Sequence, residues 1–135
     1  MKKFALISRY MLGLIFTVFG LNGLIAFLEI PPHPGVAGLL LGTLREFGFL
    51  VPVFALQAAA GVLLLANRFV PLALTLLAPI IVNISLFHAL MDGVAGLAVP
   101  GVLVALWAMV FYPERAAFAG LLSSRPHASR IADHA

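Results

Sequence analysis

The chain contains four long apolar runs that hold no Lys, Arg, Asp or Glu. An α-helix that crosses the roughly 30 Å hydrocarbon core of a bilayer needs about 20 mostly apolar residues. The runs have 19, 21, 23 and 21 residues. They are Tyr10–Leu28, Phe47–Asn67, Phe69–Met91 and Gly93–Pro113. The pattern predicts an all-α integral membrane four-helix bundle, with spans at about 4–28, 47–66, 69–91 and 96–112.

Composition supports a membrane protein and excludes several kinds of chemistry. Hydrophobic residues make up 63% of the 135 residues and charged residues only 10%, a balance that a soluble domain could not keep out of water. Four spans leave no room for a separate soluble domain, so residues 1–135 form a single transmembrane domain with a polar tail at 114–135. The chain has no cysteine, which excludes thiolate catalysis and cysteine-ligated metal centres. No self-sufficient catalytic constellation is present.

The positive charges predict an orientation. The net charge is +3, but the cations are dispersed and form no basic stripe, so nucleic acid is not an expected partner. Seven of the eight cations fall on one side if both termini are cytoplasmic, as the positive-inside rule requires. They are Lys2, Lys3, Arg9, Arg68, Arg115, Arg125 and Arg130. We expect a multi-pass membrane protein, with the lipid bilayer as its first partner.

Prolines mark the ends of the predicted helices. The three prolines of Pro31–Pro34 have no backbone N–H to donate, so the first span cannot continue through them. They predict an extended connector on the outer side. The apolar segment Gly35–Leu44 is too short to cross, so we expect it to lie at the membrane interface. Pro79 falls near the middle of the third span, and Pro113 is expected to end the fourth.

Polar side chains inside the spans are candidates for a binding site, because lipid cannot solvate them. Asn22, Gln57 and Asn83 are expected to face a common interior, with His88 one turn further outward. This arrangement predicts a polar cavity that opens to the outer side, with aromatic walls from Phe16, Phe19, Phe54 and Phe87. The alternative is a well-packed core in which the amides join helices and His88 is an interfacial side chain.

Two further possibilities concern charged groups. Arg9 is either an anchor that extends its head group to the interface or a ligand for an anionic headgroup or acidic cofactor group. Glu29, His33, His88 and Asp92 have the chemistry of metal ligands. They lie in different segments and lack the spacing of a zinc or iron motif, so the sequence predicts no metal site.

Three short motifs, spread over most of the chain from Arg9 to Tyr112, suggest a family. They are Arg9 with Gly13, Phe16 and Gly20; Gln57-x-x-x-Gly61 followed by Val62-Leu63-Leu64-Leu65; and His88 at the end of the third run. In these motifs the chain resembles the DoxX family of small four-helix bacterial membrane proteins. The resemblance implies a location in a bacterial inner membrane and quinone contact or service to a membrane redox enzyme.

Carried over by position, the resemblance implies a ligand-facing set of Arg9, Asn22, Gln57 and His88, to which Asn83 is added from its placement in the third span. The family usually has Glu where this chain has Gln57, and often Lys where it has Asn22-Gly23. Both changes favour hydrogen bonding to a neutral head such as a quinone over proton transfer by a carboxylate. A lipid or small-molecule carrier and a non-catalytic assembly subunit, including a homo-oligomer, remain alternatives.

Overall fold

The computed structural model describes residues 1–122 and is helical throughout, with no strand in that range. Its helices are α1 (Lys2–Ile25), α2 (Gly35–Glu46), α3 (Val51–Leu65), α4 (Val70–Met91) and α5 (Ala98–Glu114). Short 3₁₀ helices at Val94–Leu97 and Arg115–Leu122 flank α5. Three segments are long and apolar enough to cross a membrane, and a fourth exists if α2 and α3 together form one span. The all-α prediction is confirmed for the described residues, and the three or four candidate spans agree with a multi-pass membrane protein.

Four of the helices close into a ring. Helix α1 packs on α3, α3 on α4, α4 on α5, and α5 back on α1. Large apolar side chains that are almost fully buried fill the centre: Leu12, Phe16, Leu64, Leu74 and Leu77. Because successive helices of the ring run in opposite directions, the starts of α1 and α4 meet the ends of α3 and α5. We call this the basic end, and the opposite end, which holds His33 and Asp92, the connector end.

Glycines allow α1 and α3 to approach closely. A Cβ atom at Gly20 would collide with the backbone of Ala58 in α3. At Gly61 it would collide with the backbone nitrogen and hydroxyl of Thr17 in α1. Lipid tails are as apolar as the helices, so no hydrophobic force drives membrane helices together. They associate through close backbone contact of this kind. This pair of helices therefore forms the tightest contact of the ring.

The helix boundaries differ from the sequence prediction in three places. Helix α1 ends at Ile25 rather than near residue 28, because Ala26 adopts a left-handed conformation with φ of 50°. The turn at 47–50 shortens α3 to 15 residues. Helix α5 extends one residue beyond Pro113, to Glu114, and the chain continues from there as a 3₁₀ helix. Helix α4 likewise runs through Pro79.

The interfacial segment predicted after the first span is helix α2. It makes an angle of 88° with α3 and buries only one residue, Ala37. The predicted polar tail begins with the 3₁₀ helix Arg115–Leu122, and the rest of the tail lies outside the described residues.

Candidate functional site

The five residues predicted to face a ligand do not form one site. Asn22 and Gln57 are buried, with 6% and 7% of their surface exposed. Asn83 is exposed on α4, where its side-chain amide donates to the carbonyl of Pro79 in its own helix at 3.1 Å. The expectation that Asn83 joins the other two amides inside the bundle is therefore wrong. His88 and Arg9 lie at opposite ends of the ring.

The predicted polar cavity around the buried amides is replaced by packing. The ring of Phe54 lies directly against Gly23, where no Cβ atom stands in its way, and Phe16 fills the core with 2% of its surface exposed. Phe19 is largely exposed and cannot be a wall. Neither Asn22 nor Gln57 lines either of the two clefts that are described below. At this place the structure agrees with the well-packed alternative.

Arg9 faces a cleft of about 180 Å³ at the basic end, between the start of α1, the start of α4 and the end of α5. Only 8% of the Arg9 surface is exposed, and its Nε atom has no hydrogen-bond partner among the described residues. The guanidinium carbon lies 4.9 Å from the ring centroid of Tyr10, which supports one face of the cation. The Nε atom is enclosed, so an acceptor in the cleft would bind the guanidinium through its terminal N–H groups, which are charge-assisted donors.

The surroundings of this Arg9 cleft favour negative charge. Lys2 lines it together with Arg9, against a single acidic residue, Glu114. Val70, the first residue of α4, also lines the cleft, and that helix has no side-chain cap at its amino terminus. The free N–H groups and the dipole of a helix start attract an acceptor or an anion.

The turn that leads into α4 is held in an unusual backbone conformation. Asn67, which lines the cleft, and Phe69 both have positive φ, 53° and 52°. Asparagine tolerates this conformation, but a bulky residue such as Phe rarely adopts it. Strain of this kind is concentrated at binding sites, where the surrounding structure holds it.

A second cleft of about 240 Å³ lies between α4 and α5 and is almost wholly apolar. Ala78, Val82, Val104 and Trp107 are among its lining residues. Along α4 it begins about two turns beyond Val70, and along α5 Trp107 lies one turn before Val110 of the first cleft. The Arg9 cleft and this second cleft therefore follow one another along α4 and α5.

At the connector end, three side chains converge that the sequence places far apart. Nδ1 of His88 lies 2.6 Å from Oδ2 of Asp92, one turn later at the end of α4. Nε2 of His33, from the proline-rich connector, lies 3.8 Å from the same oxygen. Their side chains are between 20% and 35% exposed. The ring of Phe87 meets both imidazoles edge to face, at centroid distances of 5.5 and 5.7 Å.

The sequence prediction of no metal site is not supported by this geometry. One ligand atom from each of His33, His88 and Asp92 can be chosen so that all three lie within 4.8 Å of one another, and Glu29 is not part of this group. His88 and Asp92 are four residues apart, and this spacing alone indicates that they share one face of a helix. What the sequence could not show is that the connector folds His33 back against that face.

Comparisons with protein-family models, with curated proteins and with solved structures found no match to this chain. The resemblance to the DoxX family therefore stays a prediction that rests on the motifs at Arg9, Gln57 and His88.

Proposed function

We propose that this chain is a DoxX-like inner-membrane protein that binds a quinone or a similar amphipathic molecule between its helices, as a subunit of or accessory to a membrane redox system. The observation that carries the proposal is Arg9, a largely buried guanidinium that lines a cleft of about 180 Å³. The resemblance to the DoxX family suggests the quinone, and the geometry suggests where its head would bind.

The proposed head group accepts hydrogen bonds. Arginine carries five N–H donors and no acceptor, so its partner in the cleft must be a carbonyl, carboxylate or phosphate oxygen. The side-chain ammonium of Lys2 and the open amino terminus of α4 at Val70 add donors around the same space. A quinone carbonyl meets this requirement without bringing a charge into the bundle.

The apolar part of the ligand is proposed to follow the second cleft. Its lining by Ala78, Val104 and Trp107 offers almost no polar surface, which suits an isoprenoid or acyl chain. Pockets for small molecules combine such apolar walls with a few well-placed polar groups. A polar head at Arg9 and a chain between α4 and α5 would place the ligand along one side of the ring.

A second candidate is an anionic phospholipid, for which the two cations Lys2 and Arg9 are the specific observation. Juxtamembrane cations attract acidic headgroups by about 1 kcal/mol each. In that case the protein handles lipid and has no redox partner, as a carrier or an assembly subunit would.

The test is a titration of the purified full chain in mild detergent with a short-chain ubiquinone analogue. Quenching of Trp107 reports binding, because it is the only tryptophan of the chain and lines the second cleft. We expect saturable quenching and a weakening of affinity by roughly 10–100-fold in R9Q, the loss expected for a charge-assisted hydrogen bond. R9K keeps the charge but not the planar guanidinium, so its affinity should lie between that of the unmodified chain and that of R9Q.

The matched control is R68Q, which removes an exposed cation from the same end of the ring without touching the cleft. Its affinity should equal that of the unmodified chain. Short-chain phosphatidylglycerol and phosphatidylcholine are titrated in parallel, and preference for phosphatidylglycerol with no response to the quinone would favour the lipid candidate. Equal affinities in R9Q and R68Q would refute a head-group site at Arg9.

A further inference from the structure

The connector end carries a second group of converging side chains that the proposed function does not use. We propose that His33, His88 and Asp92 together bind one divalent transition-metal ion, with zinc as the best fit. The inference rests on one ligand atom from each side chain lying within 4.8 Å of the other two. It is independent of the cleft at Arg9, which lies at the opposite end of the ring.

The distances suit a small ion after modest side-chain rotation. Neighbouring ligand atoms on a tetrahedral zinc ion lie about 3.3 Å apart, because each bond is about 2.0–2.1 Å long. Oδ2 of Asp92 lies 2.6 Å from Nδ1 of His88 and 3.8 Å from Nε2 of His33, one value below and one above that spacing. Turning the Asp92 carboxylate adjusts both of these pairs. The two imidazole rings must turn as well, because the separation of their ligand nitrogens, within 4.8 Å, does not depend on Asp92.

The kinds of donor atom select the ion. Two imidazole nitrogens and one carboxylate oxygen suit zinc and its first-row neighbours, whereas magnesium and calcium prefer sites made only of oxygen. Three protein ligands also leave a fourth position for water, as in zinc sites that are not purely structural. The carbonyl end of α4, with Asp92 as its last capping residue, adds a negative partial charge that favours a cation.

Two glycines let the backbone close around these ligands. A Cβ atom at Gly96 would collide with the Cβ of Asp92, so only glycine allows the 3₁₀ segment to pack on that side chain. A Cβ atom at Gly38 would collide with the carbonyl oxygen of His33, so the first turn of α2 holds the connector in place. Both ligand-bearing segments are thus positioned by packing, and a bound ion would join the connector to α4.

The experiment uses the full chain in detergent, purified with a tag that contains no histidine and stripped with a chelator. It is titrated with Co²⁺, whose visible absorption reports tetrahedral coordination, and then with Zn²⁺ as competitor. We expect one Co²⁺ per chain, displaced by one Zn²⁺ and not by excess Mg²⁺. H33A, H88A and D92N should each weaken binding at least about tenfold, because each removes one of three ligands.

The control variant is H127A, which removes a histidine of the carboxyl-terminal tail. It should bind as tightly as the unmodified chain. Loss of uptake in H127A with normal uptake in H88A would overturn the proposal, as would equal competition by Mg²⁺.

A second variant decides the matter even if H88A does not fold. The chain has no cysteine, so H88C would introduce its only thiolate, which is itself a zinc and cobalt ligand. Co²⁺ bound at the proposed site must then show a sulfur-to-cobalt charge-transfer band in the near ultraviolet. A cobalt complex of H88C without this band would overturn the assignment.

Discussion

The side-chain oxygen of Asn22 accepts a hydrogen bond from the backbone N–H of Leu28 at 2.6 Å. Helix α1 stops at Ile25, and the chain turns through left-handed Ala26 before it reaches Leu28. The buried amide thus satisfies a backbone donor of the connector, which lies beyond the helix and has no helical partner. Within the chain, Asn22 fixes the direction in which the connector leaves α1.

We therefore predict that N22A lowers the free energy of unfolding by about 1–2 kcal/mol, because the backbone N–H of Leu28 loses the partner that the buried Asn22 supplies. N83A is the matched control, since that amide is exposed and bonds only to its own helix; its effect should stay within about 0.5 kcal/mol. Denaturant titration in detergent, followed by circular dichroism, measures both. Equal effects of the two variants would contradict this role for Asn22.

A second prediction concerns the contact between α1 and α3. G20A and G61A should each destabilise the protein by about 1–3 kcal/mol, because the added methyl group meets backbone atoms that cannot move aside. Nothing lies within 4 Å of a Cβ atom at Gly101 in α5, so G101A should be neutral or stabilising. The same unfolding titration compares the three. Destabilisation by G101A as large as that by G20A would show that general helix effects, and not this contact, are responsible.

Trp107 gives a third prediction. Its Nε1–H donates to the carbonyl of Leu74 in α4 at 3.0 Å, while its ring stacks on Phe111 at a centroid distance of 4.9 Å. W107F keeps most of the stacking and removes the donor, so it should cost about 1 kcal/mol. Y112F, at an exposed position on the same helix, serves as control and should have no measurable effect. A neutral W107F would mean that the bond between α4 and α5 is not formed in the membrane.

The predicted orientation can be measured by cysteine labelling, because the chain contains no cysteine of its own. With both termini cytoplasmic, a membrane-impermeant maleimide added to intact cells should label P32C in the connector and leave L122C unlabelled. Both positions are exposed and lie outside the long apolar helices, so access to the reagent depends on the side of the membrane. Labelling of L122C with protection of P32C would reverse the orientation.

Much of the fold follows from the sequence because length and hydropathy restrict what a membrane helix can be. The third run predicted a span at 69–91, and α4 occupies Val70–Met91. The exact helix ends, which depend on local backbone conformation, were harder to predict. Pro113 has the usual signature of a helix end, and α5 stops one residue after it. Helix α1, in contrast, stops three residues before its predicted end, because Ala26 turns left-handed.

The candidate sites were less predictable, since they depend on which side chains tertiary packing brings together. Burial of Asn22 and Gln57 followed from the cost of exposing amides to lipid, but the same reasoning placed Asn83 inside, and it is exposed. Its amide is satisfied by the carbonyl of Pro79 in its own helix, so it needs no partner across the bundle. The approach of His33 to His88 depends on the path of the connector, which no hydrophobic pattern encodes.

Helix α3 has 15 residues and so rises only about 22 Å, well short of the roughly 30 Å of hydrocarbon in a typical bilayer. Helix α1, with 24 residues, exceeds that thickness. Helix α5, with 17 residues, is lengthened by the 3₁₀ helices at both of its ends, so α3 is the shortest member of the ring. Since α2 leaves α3 at 88° with an apolar, exposed surface, it can occupy the leaflet volume that the short helix leaves to lipid. The bilayer beside α3 should be locally thinned, so this protein is expected to favour thin membranes over thick ones.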